Sequence, residues 1–112
     1  MTESTDPFDG ERLRGSTFSR ADMTGARFDG VNLDGARFFA VLTDARFDDT
    51  NLAGATFDDV NLSGATFTNV NLSGARVENA NLSNVDLRHA NYEGMRIEGV
   101  LVTELLEAHG RR

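Results

Sequence analysis

The chain has no cysteine, no tryptophan and no lysine, and a single proline among its 112 residues. Without cysteine there is neither a disulfide framework nor a thiolate metal site. Arginine is the only strong base, and 18 acidic residues against 11 arginines leave a net charge of −7. Direct binding to a phosphate backbone needs clustered positive charge, so no direct nucleic-acid contact is expected. No run approaches the roughly 20 apolar residues of a membrane-spanning helix. The opening MTESTDPFDG has neither the basic nor the apolar region of a signal peptide. The expectation is a cytoplasmic protein with no membrane contact. Only two histidines occur, His89 and His109, with no cysteine and no second histidine beside either. Catalysis needs convergent nucleophile, base or metal ligands, so the chain is expected to be no enzyme, to hold no metal and to need no cofactor. Asn-Leu-Ser at 61–63, 71–73 and 81–83 matches a glycosylation sequon, but follows from a repeat.

That repeat is what the chain has in abundance. A large apolar residue recurs every fifth position: Phe8, Leu13, Phe18, Met23, Phe28, Leu33, Phe38, then Leu42, Phe47, Leu52, Phe57, Leu62, Phe67, Leu72, Val77, Leu82, Leu87, Tyr92, Ile97 and Val102. Two residues before each centre from Phe18 to Tyr92 stands a smaller one (Ser16, Ala21, Ala26, Val31, Ala36, and so on to Ala90), and the positions between are mostly polar. A helix would carry a five-residue stripe about 140° around its axis at each step. A straight strand would show period 2 throughout. The small and large residues, two apart, fit a short extended segment that turns both inward. The chain must then turn a corner every five residues. Four right-angle corners close a square of twenty residues, and successive squares stack as parallel strands.

A period of twenty is independently visible. Leu13, Leu33, Leu52, Leu72 and Tyr92 are each followed two residues later by glycine (15, 35, 54, 74 and 94). This fits corners that need positive φ or leave no room for a Cβ. Asn32, Asn51, Asn71 and Asn91 form a second column, expected to hydrogen-bond from rung to rung. Phenylalanines fall on two faces and leucines on the other two, so stacked rings should line opposite walls.

The pentads VNLSG (60–64 and 70–74), ANLSN (80–84) and ADMTG (21–25) resemble the A(D/N)LxX motif of the pentapeptide-repeat family, over a stretch from Phe8 to Val102. The resemblance implies an all-β fold, a right-handed quadrilateral parallel β-helix. Between four and five coils are expected over residues 7–100, after a disordered 1–6 and before a C-terminal helix at 101–112. In that helix Val102, Leu105, Leu106 and His109 share one face. It would either cap the last coil or dock on a second copy, making a homodimer through the helix or through the open solenoid end.

Two features suggest surfaces. The step from Phe38 to Leu42 is four residues rather than five, and Phe39 stands where nearly all other pentads carry a polar residue. Phe39 either covers the gap left by the missing residue or is an exposed anchor for a partner. Stacking by twenty also aligns acids: Asp9, Asp29 and Asp48, with Asp49 beside them, and on another wall Asp58, Asp59 and Glu78. These either solvate the surface or form a partner-binding face, interrupted by the arginine columns Arg27–Arg46 and Arg76–Arg96. The expected function is a non-enzymatic protein-binding or scaffold module presenting a rigid acidic surface. The alternative implied by the resemblance is a DNA mimic that binds a type II topoisomerase, DNA gyrase, and modulates it. Against that alternative stand a short rod, roughly 23 Å at one strand spacing per coil, the arginine columns, and the lack of a long projecting loop. A structural domain of the kind fused to a neighbour after GVLVTELLEAHGRR is a further reading.

Overall fold

The computed structural model describes residues 13–110; the expectations for residues 1–6, Phe8, Asp9 and the side chain of His109 lie outside the described residues. The chain winds as a β-solenoid of about four turns ending in a short helix. One wall is the sheet β1 (Thr17–Asp22), β3 (Arg37–Val41), β5 (Thr56–Asp58), β7 (Arg76–Glu78), β9 (Arg96–Ile97), β10 (Val100–Leu101), in that order. The opposite wall is β2 (Arg27–Asp29), β4 (Arg46–Asp48), β6 (Thr66–Thr68), β8 (Asp86–Arg88). All pairings are parallel except the closing β9–β10 hairpin. Most of these strands are three residues long because only the centre points inward and its two neighbours face out, as in Arg27-Phe28-Asp29.

The other two walls are turns. On each, the amide three residues after a centre donates to that centre's carbonyl, as Ala55 does to Leu52 at 3.0 Å and Ala65 to Leu62 at 2.9 Å. The third residue of the turn carries φ near +70°, as at Gly54 (+69°), which is the requirement of a type II turn. A Cβ at Gly54 would meet only the Asp34 carboxylate, at 3.9 Å. Conformation and not crowding therefore selects glycine there. Corners after the strand walls need positive φ too, and are filled by Asp49, Asp59, Asn69 and Asn79 among others, residues that tolerate this region better than most.

Successive coils are joined by backbone bridges on the turn walls, Asn32–Asn51–Asn71–Asn91 and Val41–Asn61–Asn81. The asparagine side chains do something other than expected. Each Oδ1 accepts from the amide two residues on within its own coil: Ala53 N–H to Asn51 (3.0 Å), Ser63 to Asn61 (3.0 Å) and Ser73 to Asn71 (2.9 Å). The rung-to-rung bonds are made by the backbone. A side chain two residues away reaches the turn amide at little entropic cost, so the local bond wins.

The core is two ladders of rings. Phe18, Phe38 and Phe57 stack at 4.9 and 4.7 Å, and Phe28, Phe47 and Phe67 at 4.6 and 4.7 Å. The ladders meet edge to face at 6.2–6.5 Å across the axis, a favoured geometry for aromatic pairs. Leu33, Leu42, Leu52 and Leu62 fill the turn walls between them, fully buried. Among the described residues Thr50 is the one buried polar side chain, and its hydroxyl is satisfied by the Asp48 carbonyl at 2.8 Å.

After the last coil β9 and β10 fold back on each other, and α1 (Val102–Gly110) follows. Val102 is buried and its amide donates to the Met95 carbonyl at 3.0 Å. Leu105 and Leu106 are 45% and 49% exposed. The helix is thus anchored at its first residue, with Leu105 and Leu106 on its exposed surface.

Candidate functional site

The four-residue step omits a corner. Elsewhere a residue of positive φ stands two places after each centre, but after Phe38 the chain runs straight on as β3, with no such residue before Leu42. In an extended run side chains alternate. Phe38 and Ala40 therefore point in, and Phe39 and Val41 point out, each 40% exposed. Phe39 thus lies at the surface of the four-residue step.

The coils above and below keep their corner residues, Arg20 (φ 59°) and Asp59 (φ 58°). The pairing shifts accordingly: Ser19 faces Phe39 but Ala21 faces Ala40, with Arg20 bulged between them. A bulge of this kind twists a strand and re-aims its side chains. Phe39 consequently forms a ridge between two shallow recesses. One is lined by Thr17, Ser19, Arg37, Asp58, Asp59 and Asn79. The other includes Arg20, Asp22, Val41, Asp59 and Asn61. Asp58 accepts from Asn79 Nδ2 at 3.1 Å. Asp22 is held by Thr24, whose hydroxyl donates at 2.7 Å and whose amide donates at 3.2 Å. Those two bonds, the hydroxyl's first, hold the Asp22 carboxyl below its ordinary pKa.

The remaining acids divide. Asp29 pairs in register with Asp48, and Asp49 follows at the next corner, all on the β2–β4 wall. Asp58 pairs with Glu78 on the β5–β7 wall, opposite. The structure thus brings Phe39, Asp58, Asp59 and, one coil on, Glu78 to one side, and sets Asp29, Asp48 and Asp49 on the other. Arginines lie in register beside the acids, Arg27 with Arg46 and Arg76 with Arg96. Arg46 reaches Asp48 at 3.9 Å and Arg76 reaches Glu78 at 3.3 Å. Such exposed pairs contribute little stability, but they dilute the negative field on both walls.

Two contributors to the surface around Phe39 were not singled out from sequence, Val41 and Arg20. Alternation from Phe38 was the available signal for Val41. Arg20 carried none, because its corner looks like any other until the next coil lacks one. Among the described residues no group of three or more His, Cys, Asp or Glu is placed to hold a metal ion. His89 is an exposed corner residue with φ 55°.

Comparison with known proteins agrees with this geometry. Residues 40–106 match a family model described as a pentapeptide repeat region, and residues 7–43 match one described as pentapeptide repeats (9 copies). No curated protein matches the sequence. Among solved structures, a pentapeptide repeat protein from the Arabidopsis thaliana thylakoid lumen is similar at 23% identity and TM-score 0.56, covering 91% of this chain and 72% of that one. Rfr23, a pentapeptide repeat protein of the cyanobacterium Cyanothece, is 25% identical, with TM-score 0.32 and coverage of 80% and 85%. QnrB1, a plasmid-mediated fluoroquinolone resistance protein, is 17% identical, with TM-score 0.33 and coverage of 96% and 93%.

Proposed function

The chain belongs to the pentapeptide-repeat family, and from that premise we propose that it is a non-enzymatic protein-binding rod whose contact surface is centred on Phe39. One observation carries this reading. At the step that lacks a corner residue, two apolar side chains, Phe39 and Val41, are turned out between β1 and β5, whose outward residues Thr17, Ser19, Thr56 and Asp58 are polar. Exposing an aromatic ring beside a recess costs solubility without adding to the core, and aromatic residues are enriched at interface centres. The flanking Asp59, Arg20 and Arg37 supply charges of both signs at the rim, suited to fixing the orientation of a partner.

The rod as a type II topoisomerase ligand is the second reading, supported by the net charge of −7 and by the in-register acids Asp29–Asp48 and Asp58–Glu78. Division of those acids between opposite walls favours the Phe39 surface.

Photo-crosslinking in the source cells tests the proposal, with a benzophenone amino acid at position 39 or, as control, at Thr68 on the opposite wall. A discrete adduct from position 39 that is absent from position 68 is expected. Equal adducts from both positions, or none from either, would remove the Phe39 surface. DNA gyrase supercoiling in the presence of purified protein tests the second reading. Inhibition abolished by changing Asp48, Asp49, Asp58 and Asp59 to Asn would put the acidic walls in place of Phe39.

A further inference from the structure

The ring ladders stop before the solenoid does. Below Phe57 the next two rungs of that wall are Val77 and Ile97, and below Phe67 the next is Leu87. The backbone path is unchanged, so the space that rings occupy higher up is only partly filled. Met95 stands where earlier coils have a small residue, and as a flexible side chain it fills part of the gap. What remains is a hollow of about 250 Å³ roofed by Phe57 and Phe67 and walled by Val85, Leu87, Met95 and Ile97 among others. All its lining residues are apolar, and none of them belongs to α1. Leu87 and Ile97 are partly exposed, so the hollow opens through the last coil.

We propose that this hollow is a binding site for a neutral aromatic molecule of one or two rings. Size sets the upper limit: a dry apolar cavity of about 150 Å³ already accepts benzene. Chemistry sets the charge, because no lining group is able to solvate an ion or pair with a strong donor. Shape selects a flat ligand. The two roof rings belong to ladders with 4.7 Å spacing, and a planar guest in the space that Val77 and Leu87 leave unfilled would face one roof ring and meet the other edge-on. A branched aliphatic guest cannot continue that stack. The site is separate from the Phe39 surface and does not depend on that reading.

The test is titration of the full chain with naphthalene, followed by methyl NMR, with cyclohexane as an equally apolar, non-aromatic control. Upfield ring-current shifts confined to the methyls of Val77, Val85, Leu87, Met95 and Ile97, saturating with naphthalene, are expected. The variant Val77→Phe extends the Phe38–Phe57 ladder into the hollow and should weaken naphthalene roughly tenfold or more while raising the melting temperature. Leu87→Phe, on the other ladder, serves if Val77→Phe does not fold. Absence of saturable shifts would overturn the proposal, as would equal binding of cyclohexane. So would a dimer by light scattering whose interface already buries these methyls and excludes naphthalene.

Discussion

From Phe18 to Phe67 the solenoid fills its centre with stacked rings, and from Val77 to Ile97 it winds the same way around mostly aliphatic residues, with Tyr92 the one ring among these centres. Strands, turns and backbone bridges repeat in both parts, down to the type II geometry at Gly54 and Gly94. Only the packing changes. In the upper part Phe28, Phe38, Phe47 and Phe57 are essentially inaccessible, whereas Leu82, Val85, Leu87 and Ile97 remain partly exposed around a hollow. The path of the chain is therefore set by spacing and by which residues accept positive φ. Its density is set separately, by the volume at each fifth position. A core built to close packing loses dispersion contacts wherever a void remains, so the two parts should differ in stability while sharing one backbone.

The sharpest way to break this comparison is a pair of truncations. Phe57→Ala should cost about 3–5 kcal/mol, the usual range for a buried phenylalanine. Leu87→Ala should cost about 1–2 kcal/mol, below the usual range for a core leucine, because Leu87 is 36% exposed and already borders the hollow. Denaturant unfolding followed by circular dichroism measures both. Equal losses would mean that the last coil is as well packed as the first, and the distinction would fall.

A backbone substitution should show the opposite behaviour, near-equality between the two parts. Gly54 and Gly94 have φ of +69° and +74°, and at each the nearest atom a Cβ would meet lies 3.9 Å away. A valine at either position pays mainly for its conformation, about 1–3 kcal/mol. Gly54→Val and Gly94→Val should then agree within about 0.5 kcal/mol, while Ser63→Val, earlier in an equivalent turn, should change stability by less than either. Melting temperatures decide it. A Gly94→Val loss far below that of Gly54→Val would show that the terminal coil is frayed as well as hollow.

Much of this architecture was legible before any coordinates, and what was not has a physical cause. Five-residue spacing identified the inward set, and grouping every fourth centre placed Phe28 over Phe47 and Asp29 over Asp48, as the pairing shows. The distinction between strand walls and turn walls was not legible: one five-residue rule led to an extended segment on every wall, whereas the walls of Leu33, Leu52 and Leu72 are type II turns with positive φ at Gly35, Gly54 and Gly74. The asparagine column was visible, but its partners were not: composition says that an amide is present, and only geometry says whether it reaches the next coil or its own turn. The hollow was hidden for a related reason. Val77, Leu87 and Ile97 satisfy the repeat as well as Phe57 does, and a pattern of apolar positions does not record volume. The helix was readable as a helix, but its apolar residues did not reveal that Val102 docks while Leu105 and Leu106 face solvent.

The smallest effect expected on stability belongs to the residue assigned the largest role in binding. Phe38 and Phe39 are neighbours of identical chemistry in one strand, and alternation sends them to opposite sides. Phe38 is stacked between Phe18 and Phe57. Phe39 has no stacking partner among the described residues and leaves 40% of its surface in water. Phe39→Ser should thus move stability by no more than about 0.5 kcal/mol, the usual range for surface positions, and leave the circular dichroism spectrum unchanged. It should nevertheless remove partner binding, because a polar hydroxyl cannot replace a ring seated in an interface core. A partner identified through position 39 would be titrated against both proteins by calorimetry. Loss of binding with stability intact assigns the ring to recognition. Loss of stability comparable to that of Phe57→Ala would instead make Phe39 the cover of the missing corner, and the exposed ridge would be structural.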